Sequence, residues 1–257
     1  MNGTFYIGAT GLHAQQRALD VVAGNITNMN TPAYKRSEVR FSELMGPSFA
    51  SADTSLSQRS NLAAMMGVSV DASPRVFAQG DLKETGGALD LAISGEGFIE
   101  LLGPNGQSLL WRGGTLTINE EGYLAAANGL PLKALVSVPE GATSISIDRA
   151  GEVRANVPGQ TEAEAIGRID LVLVRNMAAL SNVEGGLYQA AEDAGVITAA
   201  VEDGEGGAII QGSIESSNVE LTDEMVMLMM MQRSYAASAQ IVQAGDQLMA
   251  IANGLRR

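Results

Sequence analysis

Few residues in this sequence could perform chemistry. Its one histidine, His13, has no second histidine and no cysteine with which to share a metal ion. A Ser–His–Asp arrangement would need His13, yet no Gly-x-Ser-x-Gly motif is present. Gly95 and Gly97 lack the third glycine of a nucleotide-binding loop and indicate a turn. We therefore predict that the protein is not an enzyme and has no catalytic residues, no metal ligands and no cofactor.

Two acidic groups and one tryptophan keep alternative interpretations open. Glu96 and Glu100 could in principle hydrolyse a glycoside, but nothing in the sequence sets their separation, and solvated carboxylates are favoured. The acidic residues within 192–207 match no calcium-binding loop, which favours a solvated loop over a metal site. Trp111 is either an exposed ligand platform or a buried anchor beside a turn, and the buried anchor is favoured.

The composition limits the class of protein. A chain of 257 residues with 46% apolar residues can bury a core. Its net charge of −13 argues against nucleic acid and anionic membranes as partners. No apolar run is long enough to insert in a membrane, and the N-terminus lacks a signal-peptide pattern. The protein is expected to be cytoplasmic or to be exported without a cleaved signal.

The two ends of the chain carry helical apolar spacing. Residues 4–29 repeat an apolar side chain every seven positions, which predicts a helix with a coiled-coil-like seam. Pro32 is predicted to end this helix, because the residue before a proline is disfavoured in the α region. Residues 36–66 show poor periodicity and are predicted to be extended or irregular.

The middle of the chain, from about residue 67, predicts short antiparallel strands separated by glycine turns. Two strands, 89–93 and 98–102, are predicted to form a hairpin through Gly95 and Gly97, since glycine adopts positive φ without steric cost. A further strand is predicted from Val68, Val70, Val76 and Phe77, and the others are 108–111, 115–118, 123–127, 132–138, 143–148, 152–157 and 166–175.

The last segment, 218–253, predicts a helix that is apolar on two sides. Ser217 and Glu220 have the spacing of a capping box. Two apolar stripes follow with an offset of two residues, about 200° around a helix, so they lie on nearly opposite sides. A surface helix of a monomer needs one apolar side. We expect the N-terminal helix to cover one side and a second copy of the chain to cover the other.

These patterns predict an α+β fold in which long N- and C-terminal helices pack as a coiled-coil-like pair beside a central antiparallel β domain. The predicted domains are a terminal helical assembly domain (1–35 and 214–257), an extended linker (36–66) and a central β domain (67–213). The predicted assembly interface consists of apolar residues of both helices: Phe5, Leu12, Leu19, Val22, Ile26, Met225, Met227, Leu228, Met231, Tyr235, Ile241, Val242, Leu248 and Met249.

Three patches of the sequence resemble the flagellar axial proteins, the family of rod, hook and hook-associated subunits. The first patch comprises Thr10-Gly11-Leu12, Leu19-Asp20, Ala23-Gly24-Asn25-Ile26-Thr27-Asn28 and Asn30-Thr31-Pro32-Ala33-Tyr34-Lys35-Arg36. The second is Leu89-Asp90-Leu91-Ala92-Ile93-Ser94-Gly95-Glu96-Gly97-Phe98, followed by a weaker match at Leu110-Trp111-Arg112-Gly113-Gly114 and Gly122-Tyr123-Leu124. The third comprises Gln211-Gly212, Glu215-Ser216-Ser217-Asn218-Val219, Glu224-Met225, Gln232-Arg233-Ser234-Tyr235 and Asp246-Gln247-Leu248-Met249.

The resemblance implies a structural subunit of the flagellar basal-body rod, with the distal rod preferred over the proximal rod. It implies self-assembly into a helical tube that encloses the export channel, crosses the periplasm and transmits motor torque to the hook. The implied partners are further copies of the chain, other rod proteins, the hook protein, the surrounding P and L rings and the flagellar type III export apparatus. It also implies export without a cleaved signal peptide.

Two other interpretations remain beside the distal rod. The chain could be a proximal-rod or hook-type axial subunit, or a secreted β-rich adhesion module whose terminal helices form a stalk within one molecule. A stalk of this kind predicts a monomer or a small oligomer, whereas the axial subunits predict a tubular lattice.

Overall fold

The computed structural model describes residues 2–44, 67–70, 74–158, 163–183, 185–199 and 206–254. Contacts divide the chain into two compact units. The helical unit comprises residues 1–28, 36–76 and 219–257, and the β unit comprises residues 29–35 and 77–218. This grouping places residues 29–35 and 214–218 in the β unit, whereas the sequence-based division assigned them to the helical domain. That three-part division of the chain stays a prediction.

The helical unit contains two long helices and a small hairpin. Helix α1 spans Asn2–Thr27 and helix α2 spans Leu221–Gly254, close to the predicted spans. Strands β1 (Phe41–Leu44) and β2 (Gly67–Val70) pair in antiparallel fashion, and β2 packs against α1. The predicted irregular stretch 36–66 therefore contains a strand, and its residues 45–66 lie outside the described residues. Coiled-coil geometry of the helix pair stays a prediction.

Both inner helix boundaries differ from the prediction. Helix α1 ends at Thr27, five residues before Pro32, where the Thr27 hydroxyl and the Asn28 amide donate to carbonyls of the last turn, those of Ala23 and Gly24. Helix α2 begins at Leu221, so the predicted capping box at Ser217 precedes the helix. The backbone N–H of Asn218 donates instead to the carbonyl of Tyr34 within the β unit.

The β unit contains antiparallel sheets, which confirms the α+β class. Its strands are β3 Leu82–Glu84, β4 Asp90–Ser94, β5 Phe98–Leu102, β6 Ser108–Trp111, β7 Gly113–Ile118, β8 Leu124–Ala126, β9 Ser144–Ile147, β10 Glu152–Asn156, β11 Glu164–Arg168, β12 Leu171–Val174, β13 Leu180–Val183, β14 Leu187–Ala190, β15 Val196–Ala199, β16 Ala208–Gln211 and β17 Ser213–Glu215. A six-stranded sheet has the order β13-β14-β6-β5-β12-β15, a four-stranded sheet β16-β4-β7-β8, a three-stranded sheet β11-β10-β9 and a two-stranded sheet β17-β3.

The central strands of the six-stranded sheet are buried on both faces. Side chains alternate along a strand, so Ile99 and Trp111 enter the larger core while Phe98 and Leu110 enter a second one. The second core includes Tyr188, whose ring centroid lies 5.9 Å from that of Phe98 in an edge-to-face arrangement. Trp111 is 7% exposed, which confirms the predicted buried anchor.

Several predicted strands differ in the structure. Strands β4 and β5 belong to different sheets, so the predicted hairpin is wrong, although Gly95 and Gly97 do adopt positive φ, +100° and +137°. Residues 132–138 form isolated bridges instead of a strand, and of the strand predicted from Val68 to Phe77 only the part in β2 is present, since Val76 and Phe77 belong to no strand. The predicted strand 166–175 is divided into β11 and β12. Strand β15 lies within the predicted loop 192–207, and residues 200–205 of that loop are outside the described part.

Candidate assembly surface

Helices α1 and α2 contact each other through small residues. Ala14, Ala18 and Val22 of α1 are buried, with exposed fractions of 3% or less. A Cβ atom placed on Gly8 would lie 2.6 Å from Cγ2 of Val242, so glycine is needed for this approach. The Gln15 amide nitrogen donates to the hydroxyls of Ser234 (2.9 Å) and Ser238 (3.0 Å). The buried face of α1 is therefore lined by small side chains and one bridging amide.

The C-terminal end of α1 is held by a buried polar group. Asn25 is 1% exposed, and its Nδ2 donates to Oε1 of Glu224 (3.1 Å) and to the carbonyl of Ser37 (2.9 Å). Its Oδ1 accepts from the backbone N–H of Ser37 at 2.9 Å. Nη1 of Arg36 lies 3.8 Å from Oε1 of Glu224, which is itself 3% exposed. Asn25 thus joins α1, α2 and the segment that leads to β1.

The predicted seam of α1 lies beside this contact face. Val22 is buried, but Leu12, Leu19 and Ile26 are half-buried, and the side chain of Phe5 is outside the described part. Successive residues are 100° apart around a helix, so the stripe through Leu19 lies about a quarter turn from the one through Ala18. Spacing of the small residues at three and four positions was the signal that could have located the contact face.

The predicted interface residues of α2 divide by exposure. Leu228, Met231 and Val242 are half-buried. More exposed are Met225 (52%), Met227 (39%), Tyr235 (39%), Ile241 (66%) and Leu248 (68%), while the side chain of Met249 is outside the described part. Their participation in assembly stays a prediction.

Helix α2 carries an apolar surface that the described residues leave exposed. We call it the open face and define it by Val226 (48%), Met230 (60%), Ile241 (66%), Leu248 (68%) and Ile251 (61%). At 100° per residue these positions fall within an arc of about 80°, centred about 140° from Val242. Ile241 and Leu248 were predicted as interface residues, whereas Val226, Met230 and Ile251 were not.

An apolar groove adjoins the open face within the helical unit. It has a volume of about 400 Å³ and is lined by Gly11, Ala14, Gln15, Phe41, Val68, Met230, Met231 and Ser234. Met230 belongs to both surfaces, so the groove and the open face are continuous. The Gln15 Oε1 atom beside the groove is buried and has no hydrogen-bond partner among the described residues.

The residues considered for chemistry occupy ordinary structural positions. His13 is exposed on α1. The Glu100 carboxylate accepts from the Lys133 ammonium at 2.9 Å and from the Ser108 hydroxyl at 2.5 Å, while Glu96 is exposed. Within the described parts of the chain, no three histidine, cysteine, aspartate or glutamate side chains are grouped as a metal site. Neither described helix is long and apolar enough to cross a membrane.

Family models match three separate segments of the chain. The model described as "Flagella basal body rod protein" matches residues 5–35, the "Flagellar hook protein FlgE/F/G D1 domain" matches 92–155, and the "Flagellar basal body rod FlgEFG protein C-terminal" matches 210–255. They cover α1, part of the β unit and α2, in that order.

Relatives of similar length align with nearly the whole chain. The flagellar basal-body rod protein FlgG of Buchnera aphidicola subsp. Baizongia pistaciae is 31% identical and covers 95% of this chain and 96% of its own length. FlgG of Borreliella burgdorferi is 29% identical over 100% of both chains. FlgF of Caulobacter vibrioides is 31% identical and covers 94% of this chain and 93% of its own. The chain belongs to the flagellar basal-body rod protein family and is a structural subunit of the flagellar basal body.

Proposed function

We propose that the chain is the distal rod subunit, which polymerises into a helical tube that encloses the export channel and transmits motor torque to the hook. The tube would cross the periplasm within the P and L rings and join other rod proteins to the hook protein. Full-length similarity to FlgG relatives supports the distal position. Export through the flagellar type III apparatus without a cleaved signal belongs to the same proposal.

The open face of α2 is the observation that carries this proposal. Its side chains are half to two-thirds exposed although they are large and apolar. Large apolar side chains that are exposed along one side of a helix mark an interaction site. Arg233 is exposed within the same arc, between Met230 and Ile241. The outer side of α1, by contrast, presents His13, Gln16, Arg17 and Asp20. A second copy of the chain that covers the open face would bury the apolar side of the helix pair and leave its polar side exposed.

The proposal is tested by placing a charge on the open face. We expect Ile241→Asp and Leu248→Asp to abolish swarming and to prevent incorporation into isolated basal bodies, because burying an unpaired carboxylate is strongly unfavourable. Gln243→Asp is the matched control, since Gln243 is an exposed polar residue of the same helix. Trp111 fluorescence reports whether the β unit remains folded. Normal motility of both open-face variants would contradict the assigned surface.

A proximal-rod position is the second candidate, because the FlgF relative is as similar in identity as the FlgG relatives. Basal bodies purified from cells that lack this chain distinguish the two. A rod that stops before the P ring position indicates a proximal subunit, whereas a rod that has its proximal part but lacks the hook-side part indicates the distal subunit.

A further inference from the structure

Glu215 in strand β17 is the centre of a buried ion cluster in the β unit. Its Oε1 lies 2.5 Å from Nζ of Lys35, and both side chains are 0% exposed. The backbone N–H of Gly80 donates to the same oxygen at 2.8 Å. Lys35 Nζ also donates to the carbonyl of Ala78 at 2.8 Å. Water is thus excluded from the pair, and backbone groups complete its hydrogen bonding.

Arg112 provides a second buried cation. Its Nε lies 3.1 Å from Oε2 of Glu215, so the carboxylate uses a different oxygen for each cation. The other guanidinium nitrogens donate to the carbonyls of Gly97 (2.5 Å) and Gly95, and the guanidinium carbon lies 5.8 Å from the centre of the Phe98 ring. Arg112 thus binds both glycine carbonyls of the turn between β4 and β5.

The three ions come from three distant parts of the sequence. Lys35 ends the first segment that a family model matches, Arg112 lies in the second and Glu215 in the third. Lys35 and Glu215 are separated by 180 positions. The cluster therefore forms only when segments from both ends of the chain reach the β unit together.

The backbone around the cluster is closely fitted. The N–H of Ala33 donates to the carbonyl of Glu215 at 2.8 Å. A Cβ atom on Gly80 would lie 2.1 Å from the carbonyl oxygen of Ser216, so only glycine permits the approach of these two segments. Residues 29–35, which leave α1, and 213–218, which lead into α2, are thus bound to the same place in the β unit.

The electrostatic balance of the cluster depends on its one carboxylate. Burial lowers the pKa of Lys35, the hydrogen bond and charge of Glu215 oppose this, and the charge of Arg112 lowers the pKa further. Removing Glu215 would leave two buried cations close together. Removing one partner of a buried ion pair is far more costly than removing an exposed pair, because the remaining charge has no compensation.

We propose that Glu215 is a latch that completes the β unit only when the segments leaving α1 and entering α2 are both in place. A chain that lacks residues 29–35 leaves Glu215 without Lys35, and a chain that lacks residues 213–218 leaves Arg112 without Glu215. In either case the β unit does not reach its folded structure. The latch thus couples folding of the β unit to the presence of both chain ends. This inference does not depend on the position of the subunit in the rod.

The test uses full-length Glu215→Gln, with unfolding in urea followed by the fluorescence of Trp111, the only tryptophan of the sequence. We expect the unfolding equilibrium constant to rise about a hundredfold or more. Glu100→Gln is the matched control, because Glu100 pairs with Lys133 at the surface, where Lys133 is 53% exposed. The control is expected to change the constant about fivefold at most. Equal effects of the two substitutions would overturn the proposal.

A double variant separates the latch from simple loss of packing. Lys35→Met is expected to destabilise the native chain but to stabilise the Glu215→Gln chain, because it then removes one of two uncompensated cations. This reversal of sign also covers the case in which Glu215→Gln fails to fold, since Lys35→Met/Glu215→Gln should recover the folded signal. Amide exchange at Ala33 should be faster in Glu215→Gln. Additive effects, no recovery, or unchanged exchange at Ala33 would each refute the latch.

Discussion

Replacing Asn25 by alanine should loosen the helical unit at one defined point. The substitution removes two hydrogen bonds to the backbone of Ser37 and one to the Glu224 carboxylate. A neutral hydrogen bond contributes about 1 kcal/mol and one to a charged group about 1.5–3 kcal/mol. Because Asn25 and Glu224 are almost fully buried, water cannot readily replace the lost partners. We expect Asn25→Ala to destabilise the helical unit by about 3 kcal/mol.

The assay for Asn25→Ala combines a global and a local measurement. Urea unfolding followed by circular dichroism in the helical band of the far ultraviolet reports α1 and α2, which are the long helices of the described chain. Amide exchange at Ser37 reports the lost acceptor directly and should become faster. Trp111 fluorescence should be unchanged, since it reports the β unit. Gln16→Ala is the control, because Gln16 is exposed on the same helix and its replacement should cost less than about 0.5 kcal/mol.

Two results would refute this reasoning. A decrease of less than about 1 kcal/mol in the free energy of unfolding would mean that the hydrogen bonds of Asn25 together contribute no more than one ordinary neutral hydrogen bond. Unchanged exchange at Ser37 would mean that its N–H does not depend on Asn25. Asn25→Asp should be at least as harmful as alanine, because it replaces the amide donor with a second carboxylate beside Glu224.

Three further predictions concern the β unit and the free subunit. Gly151→Ala should destabilise the β unit by about 2 kcal/mol more than Gly129→Ala. Both glycines have similar φ (+85° and +83°), but only at Gly151 would an added Cβ clash, because it would lie 2.1 Å from the carbonyl oxygen of Ile169. Equal decreases in the free energy of unfolding, measured in urea, would contradict this clash. Amides of residues 4–29 and 218–253 should be less protected in the free subunit than in isolated rods, because neighbouring copies cover the apolar sides of the helices on assembly, so equal protection in both would be evidence against that cover. The β unit contains 20 of the 29 acidic and 8 of the 16 basic residues. Its melting temperature should therefore rise with added salt, because salt screens the repulsion among its acidic side chains. A fall would show that this repulsion does not set the stability of the β unit.

The sequence predicted those features that depend on local periodicity. The helices at both ends follow from apolar spacing, and two residues of the open face of α2, Ile241 and Leu248, follow from the same spacing. Strands such as 98–102 and 108–111 were located correctly because bulky apolar residues are bounded there by glycine. The burial of Trp111 follows from its position beside Leu109 and Leu110, which alternate between two cores.

Features that depend on long-range partners could not be read from local patterns. Glu215 has no local sign that it meets Lys35, which is 180 positions away. Strand β13 has the sequence Leu-Ser-Asn-Val, too short and polar to stand out from a loop, and it is specified by pairing with β14. The hairpin prediction failed because two positive-φ glycines satisfy a tight turn equally well whether the next strand returns to the same sheet or enters another.

Most of the contact face of α1, apart from Val22, was missed for a different reason. Heptad reasoning assigns the largest apolar side chains to the seam, whereas here glycine and alanine occupy it and the leucines flank it. Small residues let two helix backbones approach closely, and the Gln15 bridge to Ser234 and Ser238 adds polar contacts. A seam of this composition leaves the larger apolar side chains of the pair free to contact something else.

The arrangement of these surfaces bears on how copies would associate. If the open face paired with the open face of a second copy, the contact would be isologous and would close at a dimer. The adjoining groove lined by Gly11, Phe41 and Val68 offers a different surface, and an open face seated in the groove of the next copy would be heterologous and could propagate. We therefore expect concentrated protein to form filaments or tubes in electron microscopy, and Gly11→Phe, which would fill the groove, to prevent them. If analytical sedimentation showed a dimer as the largest species and Gly11→Phe had no effect on it, the open face would bind the open face of a second copy. The tube would then depend on another contact.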